Sequence, residues 1–325
     1  MEIFYDPDSK LSLLDFGIEV PLTDYRTDQV VNYLNKNDII IKKVGDSKAY
    51  RPITKKDIRR AHNHTFSERL FESEESKAAA IAISFELINR DGSFHRYDPS
   101  VATKPLDLLV DQFFSQSSAT LIAARAASQN RASFFLGGGF HHAMSFGGRG
   151  FCLINDIVIA ARVLQEEEGL KNVWVIDIDV HKGDGTAEIT KSDSSIVTFS
   201  IHMAEGWPLE NPEEKDEPWW ISSDVDIAVS PKDNHRYLEL LNNGLNQLNE
   251  FEKPDLAIVV QGSDPYEYDS LPSSSDIKLS LSEMLQRDLM VYDFLEKAQI
   301  PHCHLMAGGY GLKAHEPFIE FFKHI

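Results

Sequence analysis

The chain has 325 residues, of which 42% are hydrophobic and 26% are charged, a balance typical of a globular protein with a full core. Asp and Glu total 51 against 32 Lys and Arg, and the net charge of −19 argues against binding to nucleic acid or to an anionic membrane surface. The two cysteines are too few for a disulfide framework, and neither a secretion signal nor an apolar run of roughly 18 residues is visible. We therefore expect a cytoplasmic protein.

Short apolar runs alternate along the chain with segments of helical spacing, and no repeat or linker interrupts them, so we expect one domain over residues 1–325. Fully apolar runs are typical of buried parallel strands. The alternation predicts an α/β fold with an open parallel β-sheet flanked by helices on both faces. In chain order the predicted elements are a helix over Leu106–Ser128, a strand over Ser133–Leu136, a helix over Asp156–Glu168, strands over Val173–Asp177 and Ile196–Ile201, a helix over His235–Phe251, a strand over Leu256–Gln261, a helix over Leu281–Ala298, a strand over His302–Met306 and a helix over Glu316–His324.

The five predicted strands end in turns that carry His, Asp and Tyr, most of them beside glycines. Their sequences are GGGFHH, DIDVHKGDG, SIH, GSDPYE and AGGYG. Because ligands of an open parallel sheet bind beyond the carboxyl ends of its strands, we expect these turns to converge on one site. Segment 205–223, EGWPLENPEEKDEPWWISS, is acidic and rich in Pro and Trp, and it predicts a long loop at the same rim.

The run DIDVH has the residue types of a metal site. In an extended chain Asp177, Asp179 and His181 point to the same side. Asp179 and His181, joined by Asp264 from another strand end, could hold a divalent metal of the zinc type. Three protein ligands leave a coordination position open, as in catalytic zinc sites. An isolated D-x-H run more often consists of acids that cap the following helix or pair with surface bases.

Two further features point to acid–base chemistry. Adjacent histidines, His141 and His142, follow a glycine run, and an imidazole there could take a proton from water and return it to a leaving amine. Asp177 and Asp184 are available to fix the tautomers of the two rings. The hydroxyl of Tyr310, which lies between glycines, could stabilise an oxyanion. The alternative for the two histidines is a pair of exposed turn residues, and the alternative for Tyr310 is a tyrosine of the core. A phosphate-binding role of the glycine runs is rejected, because they lack the spacing of phosphate-binding loops.

Taken as an ordered set, the runs GGGFHHA, GFCLIND, DIDVHKGDGTAE, TFSIH, GSDPYEYD and AGGYG resemble the zinc-dependent histone deacetylase family, including its bacterial and acetylpolyamine-deacetylase members. The resemblance extends from about Arg51 to Gly311. It implies the arginase–deacetylase fold and the hydrolysis of an acylated amine, most often an acyl-lysine side chain of a protein or peptide.

The resemblance also implies a role for each catalytic position. Asp179, His181 and Asp264 match the zinc ligands. His142, supported by Asp184, matches the general base and acid, and His141, supported by Asp177, matches its electrostatic partner. Tyr310 matches the residue that polarises the carbonyl. In the implied reaction, zinc activates water, His142 takes its proton and protonates the departing amine, and Tyr310 helps to hold the oxyanion.

Two further sets of residues follow from the same resemblance. Family members bind potassium beside the zinc, and the matching side chains here are Asp177, Asp179, His181 and Ser200. The expected substrate contacts are Gly150, Phe151 and Trp207 in an apolar tunnel for the lysine stem, and Asp98 at its rim.

Four departures from the family pattern lie mostly around the tunnel mouth, and we expect them to affect substrate choice more than chemistry. Lys182 stands where the family usually has His or Gln, and Ser263 stands where it usually has Ala. PLTDYRTDQV replaces a His- and Pro-containing segment near the N-terminus, and the acidic segment 205–223 is unusual.

Three alternatives stay open at this point. An arginase-like ureohydrolase would need a two-metal D-x-H-x-D pattern, but Gly183 occupies the last position. A deacylase of small amines such as acetylpolyamines would suit the acidic composition, although Leu271, near the expected tunnel mouth, offers no acid for a second ammonium group. A zinc-binding acyl-lysine reader or scaffold without turnover is disfavoured because every catalytic position is filled.

Overall fold

The centre of the protein is a parallel β-sheet. The structure, a computed structural model, describes residues 1–21, 24–47, 50–210 and 215–325. Eight strands of these residues pair in parallel in the order β2–β1–β3–β8–β7–β4–β5–β6. The predicted open parallel sheet is therefore confirmed. The strands are β1 (Glu2–Tyr5), β2 (Ile41–Lys43), β3 (Ala132–Phe135), β4 (Val173–Asp177), β5 (Ile196–Met203), β6 (Val225–Val229), β7 (Leu256–Val260) and β8 (His302–Leu305).

Helices cover both faces of the sheet. Helices α2 to α6 pack on one face, and α8 and α9 pack on the other, where α1 and α10 cover β1 and β3. Among the described residues, no helix, not even α5, combines the length and the apolar content that a bilayer crossing requires. The helices are α1 (Asp24–Lys36), α2 (Lys55–Ala61), α3 (His64–Glu72), α4 (Glu74–Ser84), α5 (Leu108–Asn130), α6 (Asp156–Glu168), α7 (Asp184–Thr190), α8 (Tyr237–Gln247), α9 (Leu281–Lys297) and α10 (Glu316–Phe322).

Strand β4 shows why the central strands are apolar on both sides. Val173 and Val175 belong to the core under α5 and α6, whereas Trp174 and Ile176 belong to the core under α8 and α9. All five residues of the strand are buried. A parallel strand covered by helices on both faces cannot alternate between apolar and polar residues, so it appears in the sequence as a continuous apolar run.

The predicted elements are present, with ends that differ by up to four residues, but several others were not predicted. Strands β1 and β2 are short and carry charged residues, and β6 lies at the sheet edge with Asp226 inside it. None of the three forms the continuous apolar run that revealed the central strands. Helices α1 to α4 and the seven-residue α7 were also missed. The predicted helix over His235–Phe251 contains α8 between two short 3-10 turns.

An ion pair on α9 lies wholly inside the protein. Arg287 Nη2 is 2.7 Å from Asp288 Oδ1, and both side chains are 0% exposed. The same guanidinium donates to the carbonyl oxygens of Ile178, at 2.9 Å, and Gly262, at 2.7 Å. These carbonyls belong to the segments that follow β4 and β7, so Arg287 links the two loops from beneath.

Replacing Arg287 by Met should lower the free energy of unfolding by about 3–5 kcal/mol, because it leaves the Asp288 carboxylate buried without its cation. Denaturation in urea measures the loss. The double variant Arg287→Met with Asp288→Leu should lose clearly less than the single variant, since it buries no unpaired charge. Equal losses in the two variants would show that the uncompensated charge is not the cause.

Candidate active site

The predicted site residues meet at the carboxyl ends of four neighbouring strands, which lie in the order β3–β8–β7–β4. His141 and His142 follow β3, His181 follows β4, Asp264 follows β7 and Tyr310 follows β8. All of these side chains are at most 9% exposed. The expected convergence of the strand ends is therefore present, and burial excludes the alternative of exposed turn histidines.

Asp179, His181 and Asp264, called here the metal triad, place one potential ligand atom each within 4.8 Å of one another. His181 Nδ1 lies 3.3 Å from Asp179 Oδ1 and 3.2 Å from Asp264 Oδ2. The other ring nitrogen, Nε2, lies 3.2 Å from the hydroxyl of Ser273, which can fix the ring orientation. Two carboxylates and an imidazole are a donor set that zinc accepts.

The electrostatics of the metal triad favour a bound cation. Burial and the neighbouring Asp179 carboxylate raise the pKa of Asp264 to about 6. For His181 burial acts in the opposite direction, but hydrogen bonds to Asp179 and Asp264 raise the pKa to about 10. Both shifts arise because two carboxylates are held close together in a buried place, an arrangement that a divalent cation stabilises. The residues present therefore fit a divalent metal.

Two glycines allow the backbone to approach the metal triad. A Cβ atom at Gly262 or at Gly308 would lie 2.2 Å from Asp179 Oδ2. Gly308 also donates its backbone N–H to the same oxygen, at 3.0 Å. Any side chain at these positions would displace the carboxylate, which explains the glycines after β7 and β8 without a phosphate-binding role.

The two histidines are each anchored by a carboxylate. His141 Nδ1 lies 2.6 Å from Asp177 Oδ2, and His142 Nδ1 lies 2.7 Å from Asp184 Oδ1. When Nδ1–H donates to a carboxylate, the Nε2 atom of a neutral ring keeps its lone pair. Asp177 and Asp184 are the carboxylates predicted to fix the two rings, and both lie within hydrogen-bonding distance of them.

The environment drives the pKa values of the two histidines apart. Burial opposes a charge on His141, but the Asp177 and Asp179 carboxylates raise its pKa to about 9. Burial and the neighbouring His141 hold the pKa of His142 well below its usual range. The two shifts favour a charge on His141 and a neutral His142, a pair suited to stabilising charge and to accepting a proton, respectively.

A cavity, called here the tunnel, leads from the metal triad to the surface. Its walls include Gly150, Phe151, Trp207, Leu271 and Tyr310. The Trp207 ring centroid lies 4.5 Å from that of His142, and the Phe151 centroid lies 6.2 Å from that of Tyr310. Three of the predicted substrate contacts therefore line one passage. The charged residues Glu86, Arg96, Arg149 and Glu210 line it as well.

Asp98, the fourth predicted substrate contact, is engaged in its own turn. Its Oδ1 accepts hydrogen bonds from the backbone N–H of Ser100, at 2.9 Å, and from the hydroxyl of Ser100, at 2.6 Å. Asp98 is not among the residues that line the tunnel. Its assignment as a substrate contact stays a prediction.

The turn that carries Tyr310 is held by Arg26, a residue whose role was not predicted from the sequence. Arg26 on α1 donates to the carbonyl oxygens of Ala307, Gly308 and Gly309, at 2.7, 2.8 and 3.1 Å. The segment PLTDYRTDQV thus supplies the arginine that holds this turn. Leu22 and Thr23 of the segment lie outside the described residues.

Two of the sequence departures involve contacts away from the tunnel. The Lys182 ammonium is buried and bonded to the Asp226 carboxylate, so it adds no charge to the tunnel. Ser263 donates its hydroxyl to the carbonyl oxygen of Ala314, at 2.8 Å. Segment 205–223 borders the tunnel through Trp207, Pro208 and Glu210, as expected, while residues 211–214 lie outside the described part of the chain.

The predicted potassium ligands lie next to one another. Asp177 and Ser200 are register partners on β4 and β5. Ser200 Oγ accepts the backbone N–H of Gly183 at 3.3 Å, and Asp177 Oδ1 accepts that of Asp179 at 3.1 Å. These contacts bring the ligand set together, and potassium binding itself stays a prediction.

Only one group of three or more metal-binding side chains, the metal triad, occurs within the described ranges. A ureohydrolase of the arginase type would require the ligands of two metals. One metal site instead of two, together with Tyr310 in the tunnel wall, disfavours the ureohydrolase.

Comparison with known proteins identifies relatives of this chain. A model of the histone deacetylase domain matches residues 20–322. An uncharacterized protein of Picosynechococcus sp. is 29% identical over 209 residues, which cover 64% of this chain and 66% of that protein. Histone deacetylase 2 of Arabidopsis thaliana is 27% identical over 198 residues, which cover 61% of this chain and 49% of that protein. The alignments thus span about two thirds and about half of those relatives.

A structural comparison supports the fold. The crystal structure of acetylpolyamine aminohydrolase from Burkholderia pseudomallei matches with a TM-score of 0.72 and 18% identity, and it covers 99% of this chain and 98% of that chain. At this identity the likeness concerns the fold alone. The arginase–deacetylase fold implied by the sequence resemblance is confirmed.

Proposed function

The chain belongs to the histone deacetylase family, and from this premise we propose that it is a zinc-dependent hydrolase that removes acyl groups, above all acetyl, from the ε-amine of lysine in proteins or peptides. The observation that carries the proposal is that the metal triad, two carboxylate-anchored histidines and a tyrosine are clustered beside one tunnel with aromatic side chains in its walls. A cytoplasmic location and potassium beside the zinc remain parts of the proposal.

Each side chain has a distinct task in the proposed reaction. Zinc held by the metal triad would supply Lewis acidity, which lowers the pKa of water to about 7 and polarises an acyl carbonyl. His142, neutral and anchored at Nδ1 by Asp184, accepts the proton of water at Nε2 and donates it to the departing amine. The Tyr310 hydroxyl donates a hydrogen bond to the oxyanion, and charged His141 stabilises the same developing charge.

The tunnel walls explain why a lysine side chain is the proposed substrate. Phe151, Trp207 and Leu271 offer apolar surface to a methylene stem. A long unbranched stem can pass between such walls while the amide reaches the polar groups at the end of the tunnel. This geometry favours an acyl group on an extended amine over a branched or bulky amide.

The proposal is tested by hydrolysis of a matched panel by the zinc-loaded protein. The panel contains acetyl-, longer-acyl- and lactyl-lysine peptides beside acetylspermidine and acetylputrescine, with the Tyr310→Phe variant as control. We expect turnover of a peptide that is largely lost in the variant, and the best peptide names the acyl group. No turnover of any substrate, with zinc confirmed in the protein, would overturn the proposal and favour a reader or scaffold.

Small acylated amines are a second candidate substrate class. Two acidic residues that were not predicted from the sequence line the tunnel together with Leu271. Glu86 and Glu210 line the tunnel and could receive a second ammonium group of a polyamine. Arg96 lies 3.6 Å from Glu86 and competes for that carboxylate, so we rank the lysine substrate first. Turnover of the acetylpolyamines alone in the same panel would reverse the order.

Replacing Gly150 by Ala should lower kcat/KM by roughly 100-fold, the effect of about 1 Å of misplacement in an active site. Gly150 has a φ of +55°, and an added Cβ would lie 2.3 Å from Trp207 Cη2 and 2.8 Å from His142 Cδ2. The matched control is Gly147→Ala, because no atom lies within 4 Å of a Cβ at that position. Unchanged kinetics in the Gly150 variant would contradict the close packing of Trp207 on His142.

A further inference from the structure

Arg149 lies where the tunnel wall meets the pair of His142 and Asp184. Its Nη1 atom donates to Asp184 Oδ2 at 2.8 Å. Its guanidinium carbon lies 5.0 Å from the ring centroid of Trp207 and 4.3 Å from that of Trp219. The side chain is 20% exposed. One charge-assisted hydrogen bond and two cation–π contacts therefore hold the guanidinium in a single place.

Asp184 depends on this guanidinium. The carboxylate is 0% exposed, and its Oδ1 atom accepts from His142 Nδ1 at 2.7 Å and from the backbone N–H of Gly185 at 3.0 Å. Among the described residues, Arg149 donates the hydrogen bond that Oδ2 accepts. Burial raises the pKa of Asp184 to about 7, and the Arg149 charge opposes that rise. Without Arg149, a buried oxygen would lose its partner.

The protonation state of Asp184 decides what His142 can do. A charged Asp184 accepts the Nδ1–H of His142, which leaves the lone pair on Nε2 free for a proton. A neutral Asp184 donates its O–H to Nδ1 instead, so the ring carries its hydrogen on Nε2 and cannot act as a base there. An incorrect tautomer of this kind costs about 10⁴ in kcat in the serine protease triad.

We propose that Arg149 is a positioning residue, whose guanidinium, held by contacts with Trp207 and Trp219, keeps Asp184 as a charged acceptor and thereby keeps His142 Nε2 ready to take the proton. This inference rests on the proposed hydrolase function of the same site. Both tryptophans come from the acidic segment 205–223, and Trp219 lies in a 3-10 turn over Pro218–Trp220. The segment thus acts on the acid–base pair as well as bordering the tunnel.

The test compares Arg149→Ala, Arg149→Lys and Trp219→Leu with wild type, with Arg162→Ala as the matched control. Arg162 is also a partly buried arginine, paired with Asp193 at 2.9 Å, and it does not line the tunnel. We expect Arg149→Ala to lower kcat by roughly 10- to 100-fold, the usual effect of losing an outer partner, with KM nearly unchanged. The lysine and Trp219 variants should lose less, since each keeps a cation near Asp184.

Two readouts separate positioning from a structural role. Added guanidinium ion at millimolar concentration should restore part of kcat in Arg149→Ala, but none in Tyr310→Phe. The acidic limb of the pH profile should move to higher pH in Arg149→Ala, because the Arg149 charge lowers the pKa of Asp184. Three groups that can carry a positive charge face Asp184. They are Arg149, His141 and, when its ring is protonated, His142.

A third readout needs no turnover. In nitrogen-15 NMR spectra, wild-type His142 should show hydrogen on Nδ1, and Arg149→Ala should shift the ring toward hydrogen on Nε2. An unchanged tautomer together with unchanged kcat, or a loss of kcat that neither guanidinium nor pH alters, would overturn the assignment of Arg149. Inactive wild-type protein that still shows the tautomer shift would instead contradict the proposed hydrolase and leave the Arg149–Asp184 coupling established.

Discussion

Replacing Asp264 by Asn is expected to abolish zinc retention and, with it, hydrolysis. Asp264 is 0% exposed and its Oδ2 atom lies 3.2 Å from His181 Nδ1 in the metal triad. The substitution keeps the size of the side chain but removes one of two negative charges that face the metal position. Its effect on zinc affinity should exceed the roughly 10- to 100-fold cost of losing a partner outside the ligand shell.

Zinc affinity is measured by competition with a chelator of known affinity, and zinc content by elemental analysis after dialysis. The matched control is Asp276→Asn, because Asp276 lines a neighbouring cavity with Trp207 and Leu271 and does not belong to the metal triad. The control should bind zinc as wild type does. If the Asp264 variant held zinc with wild-type affinity, the ligand assignment would be wrong.

Replacing Tyr310 by Phe is expected to lower kcat by about 10²–10³-fold, the usual effect of removing one donor to an oxyanion. KM should stay nearly constant, because the hydroxyl acts on charge that develops only in the transition state. The ring should keep its place, since Phe retains the edge contact with Phe151, whose centroid lies 6.2 Å away. The backbone N–H, which donates to Asp269 at 2.7 Å, is also unaffected.

Steady-state kinetics on the best peptide of the panel measures this effect, and a thermal unfolding curve checks the fold. Tyr268→Phe is the control, because Tyr268 is a tyrosine at the same end of the sheet that is 52% exposed and outside the tunnel. A Tyr310→Phe variant with wild-type kcat would remove the tyrosine from the proposed mechanism.

The central strands and the site at their ends could be predicted because burial on both faces leaves a clear sequence pattern. VWVI in β4 and LAIVV in β7 are continuous apolar runs, and each is followed within four residues by a member of the metal triad. A parallel sheet brings such endings together whatever their separation in sequence. That physical rule was sufficient to associate Asp179 with Asp264.

The support that Arg26 and Arg287 give to the site could not be predicted, because it consists of hydrogen bonds to backbone carbonyls. Arg26 donates to the carbonyl of Ala307, which is 281 residues away, and Arg287 donates to those of Ile178 and Gly262. Every residue type has a carbonyl, so such a contact leaves no trace in the residue pattern. The contact of Arg149 with Trp219 could not be predicted for a related reason. It joins two irregular segments, and no sequence periodicity predicts the path of such segments.

The strand order has a consequence for how the protein is made. Strand β8 is the last of the eight described strands along the chain, yet it lies in the middle of the sheet between β3 and β7. During synthesis β3 and β7 have no partner on their facing edges until residues 302–305 leave the ribosome, and unpaired edges promote aggregation. The same short stretch is followed by Tyr310. Completion of this part of the sheet and assembly of the candidate site are therefore one event, which waits for the synthesis of β8 and Tyr310.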